Sequence, residues 1–382
     1  VDPPVDPVDP VDPPVDPEIP GSDKPEEPEE PSVPIYDKGV PGYVQISKVN
    51  REMGLSQLGK LHDRIGEQQT YVWDCCGGYV DYYNAQKELY GRNIHPVWVR
   101  LEVGELKEQG KERLGYEVDE MLFQIGADLH FSIDEDKNHH HVGVIGGYTH
   151  GKVDFFDKYR AENGVVTQEK RTGKADIDMF TLGGYSTWYK ANGAYLDLVG
   201  LFSFSRNRYK EYGGSLTQNG FGFGLSAEVG RPYQIGESNW LIEPQAQLAY
   251  QYARFNRVTD GPKEISGQSA GTLRGRLGAR LAWNGDNGKH HTNTFYASAH
   301  VLHDFTGYKS KAQIGADRIE ERYARTWGEI QLGGQWAMSP STYLYGNVSY
   351  QRALGGHKNQ IQRSNNRSRE GVRGNLGIRF NF

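Results

Sequence analysis

Long segments in which apolar and polar residues alternate dominate the chain from Pro96 to its end. In the last one, apolar residues or glycine occupy every second position from Val372 to Phe382, and arginine, asparagine or glycine lies between them. A period of two places the two sets on opposite faces of a β-sheet. The twelve segments begin near Pro96, Asp119, His141, Ala175, Gly193, Gly220, Pro244, Leu273, Thr294, Thr326, Ser341 and Val372.

The length of these segments favours strands that cross a membrane. Strands of soluble proteins typically have about 5–6 residues, whereas a tilted membrane-spanning strand needs about 9–11, and many of these segments run to about 10–14. Their charged face cannot meet hydrocarbon, where each arginine costs about 2–4 kcal/mol at the midplane. We therefore predict an all-β fold, a 12-stranded antiparallel transmembrane β-barrel. Its predicted pore-lining residues are Arg100, Glu102, Asp197, Glu228, Glu243, Arg274, Arg276, Arg280, Glu329, Arg373 and Arg379.

Composition and loop lengths agree with this barrel. The chain has no run of 18 or more consecutive apolar residues, which excludes a helical membrane protein. Its mean hydropathy is -0.71, but aromatic residues make up 12% of it, too many for a disordered chain. Connections after odd-numbered segments are long and polar, as at 155–173, 305–323 and 354–369, whereas those after even-numbered segments are mostly shorter. In outer-membrane barrels the long loops are extracellular and the short turns periplasmic.

The first 42 residues have a different character. They contain 13 of the 18 prolines, in Val-Asp-Pro repeats followed by an acidic run. Proline fixes φ and removes a hydrogen-bond donor, and repelling carboxylates extend the chain. We expect residues 1–42 to form a Pro/Asp-rich extended linker. Binding of this segment by a proline-reading domain is the alternative.

Apolar residues recur at mostly helical spacing between residues 43 and 66. A helix of this length spans roughly 33 Å, close to the thickness of a bilayer core, but it is too polar to face lipid. A twelve-stranded barrel is wide enough to enclose it. We predict a pore-spanning α-helix over 43–66, a connecting insertion over 67–95 and the barrel over 96–382; an amphipathic helix on a soluble domain is the alternative. The predicted pore-helix residues are Ile46, Val49, Met53, Leu58, Leu61, Arg64 and Ile65.

Five short motifs occur in an order that resembles a known family. They are Leu-Gly-Lys-Leu-His-Asp-Arg at 58–64, Val-Trp-Val-Arg at 97–100, Phe-Gln-Ile-Gly-Ala-Asp at 123–128, Trp-Leu-Ile-Glu-Pro-Gln-Ala at 240–246, and Gly-Ile-Arg-Phe-Asn-Phe at 377–382. With the linker and the helix, the chain from about residue 43 to its end resembles the C-terminal translocator barrel of type Va autotransporters, of the pertactin type.

The resemblance implies an outer-membrane translocator domain in a Gram-negative bacterium. It would anchor and export an N-terminal passenger by type V secretion, with long loops extracellular and short turns and the C-terminus periplasmic. The outer-membrane barrel assembly machinery would read the last strand at Phe380 and Phe382. Outer-membrane lipid and lipopolysaccharide are the other expected partners. We expect a monomer that binds neither nucleic acid nor a cofactor.

Two features of the sequence depart from the family pattern, and two alternative functions stay open. Family members that cut themselves do so at an Asn-Asn pair on the helix, whereas Asn50 precedes Arg51 here. Adjacent Cys75 and Cys76 could form a strained disulfide, pair between chains or stay free. The histidines of 139–141 follow three acidic residues, but we predict no metal site. A barrel-borne protease or lipase and a simple diffusion porin are the alternative functions; we expect no enzyme.

Overall fold

The computed structural model describes residues 34–67, 71–73, 79–81, 95–136, 138–162, 165–167, 169–210, 216–286, 292–339, 341–355 and 368–381. The main compact unit spans Ile35–Phe382, and Val1–Pro34 forms a separate unit of which only Pro34 is described. The predictions for residues 1–33, for Cys75 and Cys76 and for Phe382 lie outside the described residues.

Twelve long antiparallel strands form a closed barrel in which each strand pairs with its neighbour in the chain. The last strand closes the ring on the first, with Arg369 opposite Glu108 and Asn381 opposite Pro96. This confirms the predicted fold class. We number the strands β1 to β12: Pro96–Gln109, Leu114–Ile133, His139–Asp157, Arg171–Tyr189, Tyr195–Lys210, Leu216–Gly230, Trp240–Phe255, Gln268–Asp286, Thr292–Asp304, Thr326–Ser339, Thr342–Ala353 and Arg369–Asn381.

Exposed and buried side chains alternate along these strands. Over the middle of the barrel the outer face is apolar and the inner face polar, whereas near the long loops buried apolar side chains such as Tyr116, Val153 and Ile177 pack around α1. Phe202, Leu277 and Leu332 are each about two-thirds exposed on the outside. Arginine, glutamine and carboxylate side chains of the intervening positions are buried inside. Among the described residues, neither helix has the length and apolar character of a membrane span.

Several short strands lie in the long connections at one mouth of the barrel. Four of them form what we call the loop sheet: Val258–Asp260, Lys263–Ile265, Lys309–Ile314 and Asp317–Arg322. The prediction that all connections at this mouth are long is wrong for two of them, 110–113 between β1 and β2 and 211–215 between β5 and β6. Ala161–Glu162 and Val165–Val166 lie in the connection from β3 to β4. Of the remaining short strands, Tyr233–Gln234 lies in the turn from β6 to β7, and Tyr71–Trp73 and Tyr79–Asp81 lie between α2 and β1.

Two helices fill the barrel interior, and we call them together the plug. Helix α1, Val40–Leu58, buries every side chain except that of Leu55, and α2 follows at Leu61–Ile65. The sequence predicted one continuous helix, but Gly59 has a φ of 60° and its N–H bonds to the Leu55 carbonyl at 3.3 Å. Glycine adopts this left-handed conformation readily and commonly ends helices, so α1 stops there.

Candidate functional site

A buried network of three cations and three carboxylates joins the middle of α1 to the barrel wall. Glu52 accepts hydrogen bonds from Arg274 at 2.6 and 3.0 Å and from Arg369 at 3.0 Å. Since the charges balance and each has a partner, burial leaves no uncompensated charge. The members of this network are Lys48, Glu52, Glu108, Arg274, Asp304 and Arg369.

One buried tryptophan supports the two arginines of this network. The guanidinium carbons of Arg369 and Arg274 lie 3.9 and 4.4 Å from the ring centre of Trp327, which is fully buried. A cation over an aromatic face is attracted by the ring quadrupole, more strongly where water is excluded. Trp327 therefore holds both guanidinium groups in place for Glu52.

The first half of α1 is also bound to the loop sheet and its surroundings. Arg51 donates to the carbonyls of Gly307 and Lys309 at 3.0 and 3.1 Å. The Tyr43 hydroxyl donates to Asp260 at 2.9 Å. These contacts fix the N-terminal end of α1 at the mouth that carries the long loops.

An ion pair precedes α1 at the same mouth. The Lys263 ammonium lies 2.6 Å from the Asp37 carboxylate, and this hydrogen bond holds the pKa of Asp37 below its ordinary value of 3.8. Both side chains are partly exposed, at 30% and 55%, so the pair contributes little to stability. It joins the segment before α1 to the loop sheet.

Further ion pairs hold the second half of the plug. Arg64 donates to both oxygens of Asp197 at 2.8 and 2.9 Å, and Lys60 lies 2.7 Å from Glu329. Both pairs are largely shielded from solvent, which strengthens the attraction and makes an unpaired partner costly. At the same level His62 contacts Glu243, and Arg280 contacts Glu67.

Barrel side chains also bind the main chain of the plug, in a set of contacts that we call the carbonyl seat. The last carbonyls of a helix have no partner inside it and need donors from elsewhere. Seven donors of the barrel wall meet carbonyls of residues 56–67 at 2.6–3.3 Å. The pairs are Arg100 with Ser56, Gln124 with Gln57, Gln247 with Gly59, Asn375 with Asp63, Tyr345 with Arg64, Arg379 with Ile65 and Gln335 with Glu67.

Two arginines of the carbonyl seat have no carboxylate partner among the described residues. Arg100 and Arg379 are 0% and 1% exposed, and each donates to a helix-end carbonyl at 3.0 Å. The C-terminal end of a helix carries a partial negative charge that favours cations. The end of α1 next to Arg100 therefore supplies the counter-charge that a carboxylate supplies elsewhere.

All eleven residues predicted to line the pore lie on inward-facing positions of the strands. Nine of them hydrogen-bond to plug residues or to Glu67, whereas Glu102 and Arg276 bond to other barrel side chains. All seven predicted helix residues are at most 1% exposed. The functional role of both groups stays a prediction.

The sequence reasoning missed several members of the site. Arg369 was assigned to a loop, although continuing the period of two back from Arg373 through Gly371 places it on the inner face. Three glutamines donate to carbonyls of residues 57–67, namely Gln124, Gln247 and Gln335. From the sequence, only their inward-facing position on the strands could be predicted. Nothing in the sequence distinguished glutamine that binds a helix end from glutamine that only meets water.

Two sequence patterns that are typical of catalytic or metal sites do not have the surroundings that such sites need. Residues 267–271 read Gly-Gln-Ser-Ala-Gly, a nucleophile-elbow pattern that the sequence reasoning missed. Such a serine needs a turn from strand to helix, but Ser269 lies exposed near the start of β8. The period of the strand separates the histidines of 139–141, and His140 stacks on Trp188 outside the barrel. Within the described ranges no cluster of His, Cys, Asp or Glu fits a metal.

Comparison with known proteins agrees with this geometry. A family model described as the autotransporter beta-domain matches residues 97–349. The chain is 26% identical over 334 residues to the BmaC autotransporter adhesin of Brucella suis, a match over 84% of this chain and 9% of that protein. It is 27% identical to the pertactin autotransporter of Bordetella parapertussis over 64% of this chain and 26% of that protein. The chain thus spans a small part of these relatives.

A solved structure shares the fold. The crystal structure of the transport unit of the autotransporter AIDA-I from Escherichia coli superposes with a TM-score of 0.69. The alignment covers 91% of this chain and 100% of that one, at 17% sequence identity. The likeness concerns the arrangement of barrel and plug rather than individual side chains.

Proposed function

The chain belongs to the autotransporter beta-domain family and is an outer-membrane translocator domain, and from this premise we propose that it anchors and exports an N-terminal passenger. The chain passes through its own barrel: α1 starts beside the loop sheet, and α2 ends at the opposite mouth, where β1 begins. This path of the chain through its own barrel is the observation that supports export of a passenger. Whatever precedes the plug emerges at the mouth with the long loops.

The proposed mechanism uses the polar interior as the export route. The passenger's C-terminal part threads through the lumen as an extended hairpin, and folding outside gives direction. Polar and charged lumen side chains bind a hydrated polypeptide without the cost of removing polar groups from water. The plug then occupies the lumen, where Glu52 and the carbonyl seat hold it. The Val-Asp-Pro repeats suit transit because proline resists pairing into a sheet or helix.

The orientation and the remaining partners belong to the same proposal. Long loops are extracellular, and short turns and the C-terminus are periplasmic. The assembly machinery recognises Phe380 and Phe382, the barrel contacts outer-membrane lipid and lipopolysaccharide, and the protein is monomeric and has no enzymatic activity. The division into linker 1–42, pore helix 43–66, insertion 67–95 and barrel 96–382 is also proposed, with α1 beginning at Val40.

Planar-bilayer conductance tests the role of the plug. The intact chain should conduct weakly, because side chains and the two helices fill the lumen. Deletion of residues 43–66 should raise the conductance sharply, whereas deletion of residues 1–33 should leave it unchanged. A porin would conduct strongly before any deletion. Equal conductance of the intact chain and the 43–66 deletion would overturn the plug.

Surface display tests export directly. A reporter domain fused before Val1 should become accessible to external protease in intact cells. The matched control replaces Phe382 by serine, which should reduce insertion of the barrel and display together. A reporter that stays in the periplasm although the barrel is folded in the outer membrane would overturn the export function.

A further inference from the structure

The outer face of β3, β4 and β5 carries an ordered row of aromatic side chains. Tyr148, Phe180 and Phe204 lie opposite one another on these three strands, and Phe221 continues the row on β6. Phe180 and Phe204 are 59% and 65% exposed. Aromatic rows of this kind mark the boundary between the apolar band and the polar head groups in outer-membrane barrels.

Charged side chains cover the next three outward positions toward the long loops. Five are cationic and three are carboxylates, so the surface has a positive surplus. The first row contains Asp178 and Arg206, the second Lys152, Asp176 and Arg208, and the third Asp154, Lys174 and Lys210. We call this the basic surface. It ends at β2, where Asp119 lies opposite Lys152.

The carboxylates of the basic surface already have partners. Asp178 accepts from Tyr148 at 2.7 Å and pairs with Arg208 at 2.7 Å. Asp176 lies 2.5 Å from Lys210. The third carboxylate, Asp154, lies 3.3 Å from Arg171.

Three cations of the basic surface remain without a hydrogen-bond or ion-pair partner in the part of the chain that the structure describes. They are Lys152, Lys174 and Arg206. Lys152 and Arg206 are exposed, and Lys174 is half-buried. The neighbouring outward positions of β1 and β2 differ, because Lys107 is held between Glu105 and Glu117 at 2.5 and 3.1 Å. Among the described residues, three unpaired cations therefore cluster on this wall, whereas Arg352 on β11 is a single exposed cation.

We propose that Lys152, Lys174 and Arg206 bind the phosphate groups of an outer-leaflet glycolipid, the phosphorylated head of lipopolysaccharide. Its acyl chains lie against Phe180 and Phe204, which places its phosphates at the level of the three cations. Lysine and arginine bind phosphate through charge-assisted hydrogen bonds, and cations beside an anionic lipid surface strengthen membrane contact. The site rests on the proposed orientation, in which the long loops are extracellular.

Native mass spectrometry of the full chain in detergent tests this site, with diphosphorylated lipid A as the probe. The variant K152Q/K174Q/R206Q should bind lipid A about tenfold more weakly, because each cation near an anionic lipid surface changes binding by about fivefold and detergent screens part of this. The control R231Q/R318Q/R352Q removes three exposed cations away from the basic surface and should bind as the parent does. Lipid A stripped of its phosphates should bind parent and variant equally weakly.

Three results would overturn the proposal: equal binding by the two triple variants, undiminished binding of dephosphorylated lipid A, or full displacement of lipid A by millimolar inorganic phosphate. Full displacement by inorganic phosphate would show that the site binds phosphate alone and does not recognise the lipid. Surface display of the reporter in the same variants separates this inference from the proposed function. Normal display without lipid preference contradicts only the lipid site, whereas a barrel absent from the outer membrane contradicts the export function.

Discussion

At the scale of single residues, the attachment of α1 depends most on Glu52, the carboxylate that three cations share. Replacing it by glutamine leaves Lys48, Arg274 and Arg369 facing two carboxylates. Breaking a buried ion pair on one side costs about 3–5 kcal/mol. We expect Glu52→Gln to lower the unfolding temperature in detergent and to increase opening events in planar bilayers.

A second substitution makes this result interpretable. In the double variant K48M/E52Q the network regains charge balance, so part of the lost stability should return. A double-mutant cycle gives the coupling between the two residues. Additive losses would show that Lys48 and Glu52 are not coupled, against the account of one shared ion-pair network.

Arg100 offers a test of the carbonyl seat. Arg100→Gln removes the buried positive charge beside the end of α1, and a hydrogen bond to a charged group is worth about 1.5–3 kcal/mol. We expect faster amide hydrogen exchange in residues 55–59. Arg254→Gln, the same change on the outer face, should leave these amides unaffected. Equal exchange in both variants would count against the seat.

The residue scale also shows the limit of sequence reasoning. Period two alone predicts that the eleven lumen residues share the inner face, because alternation decides the face of a strand. The ion-pair partner of each lumen residue follows no such rule. Arg274 reaches Glu52 whereas Arg276, two positions along the same strand, reaches Glu228. That difference depends on the height and rotation of α1, which the sequence does not encode locally.

At the scale of elements, the break in the plug depends on Gly59. A side chain at φ 60° costs about 1–2 kcal/mol, and a Cβ here would also lie 2.6 Å from the Arg100 guanidinium. We therefore expect Gly59→Ala to loosen the plug and raise conductance. Gly236→Ala is the matched control, since Gly236 has a φ of 61° with nothing within 4 Å.

The control separates backbone strain from the clash. Both variants introduce similar backbone strain, so any loss of thermal stability in Gly59→Ala beyond that in Gly236→Ala measures the clash with Arg100. Equal losses would mean that the clash has no effect and that backbone conformation alone accounts for the break in the helix.

Element boundaries were harder to predict than element types. Alternation located all twelve strands, but β2, β3 and β4 have 20, 19 and 19 residues and extend beyond the expected starts. Toward the long loops β2 and β4 rise above the apolar band, where the outer face is charged and the inner face is apolar, so the pattern is inverted. The start of β3 lies at the opposite mouth, among the histidines of 139–141. The boundary between α1 and α2 was equally hard to predict, because helical spacing of apolar residues continues across the break at Gly59.

At the scale of the whole molecule, the two faces of the barrel should respond differently to the same change. Leu277 is 68% exposed at the middle of β8, where an arginine would meet hydrocarbon. We expect Leu277→Arg to reduce the free energy of folding into lipid vesicles by about 2–4 kcal/mol. Thr217→Arg, near the outer end of β6, should cost about 0–1 kcal/mol.

Urea titration in vesicles of neutral phospholipid measures both free energies. Equal costs would mean that the outer face does not meet hydrocarbon, and the membrane assignment would fail with it. A chain that stays compact and monomeric in water without detergent would lead to the same conclusion.

The carbonyl seat has one more consequence. Its seven hydrogen bonds reach main-chain carbonyls, so they depend on the helical conformation at the end of the plug and not on the side chains that precede it. The described residues upstream of the plug touch none of these seven donors, so the passenger would be free to diversify without any change in the barrel wall that holds the plug.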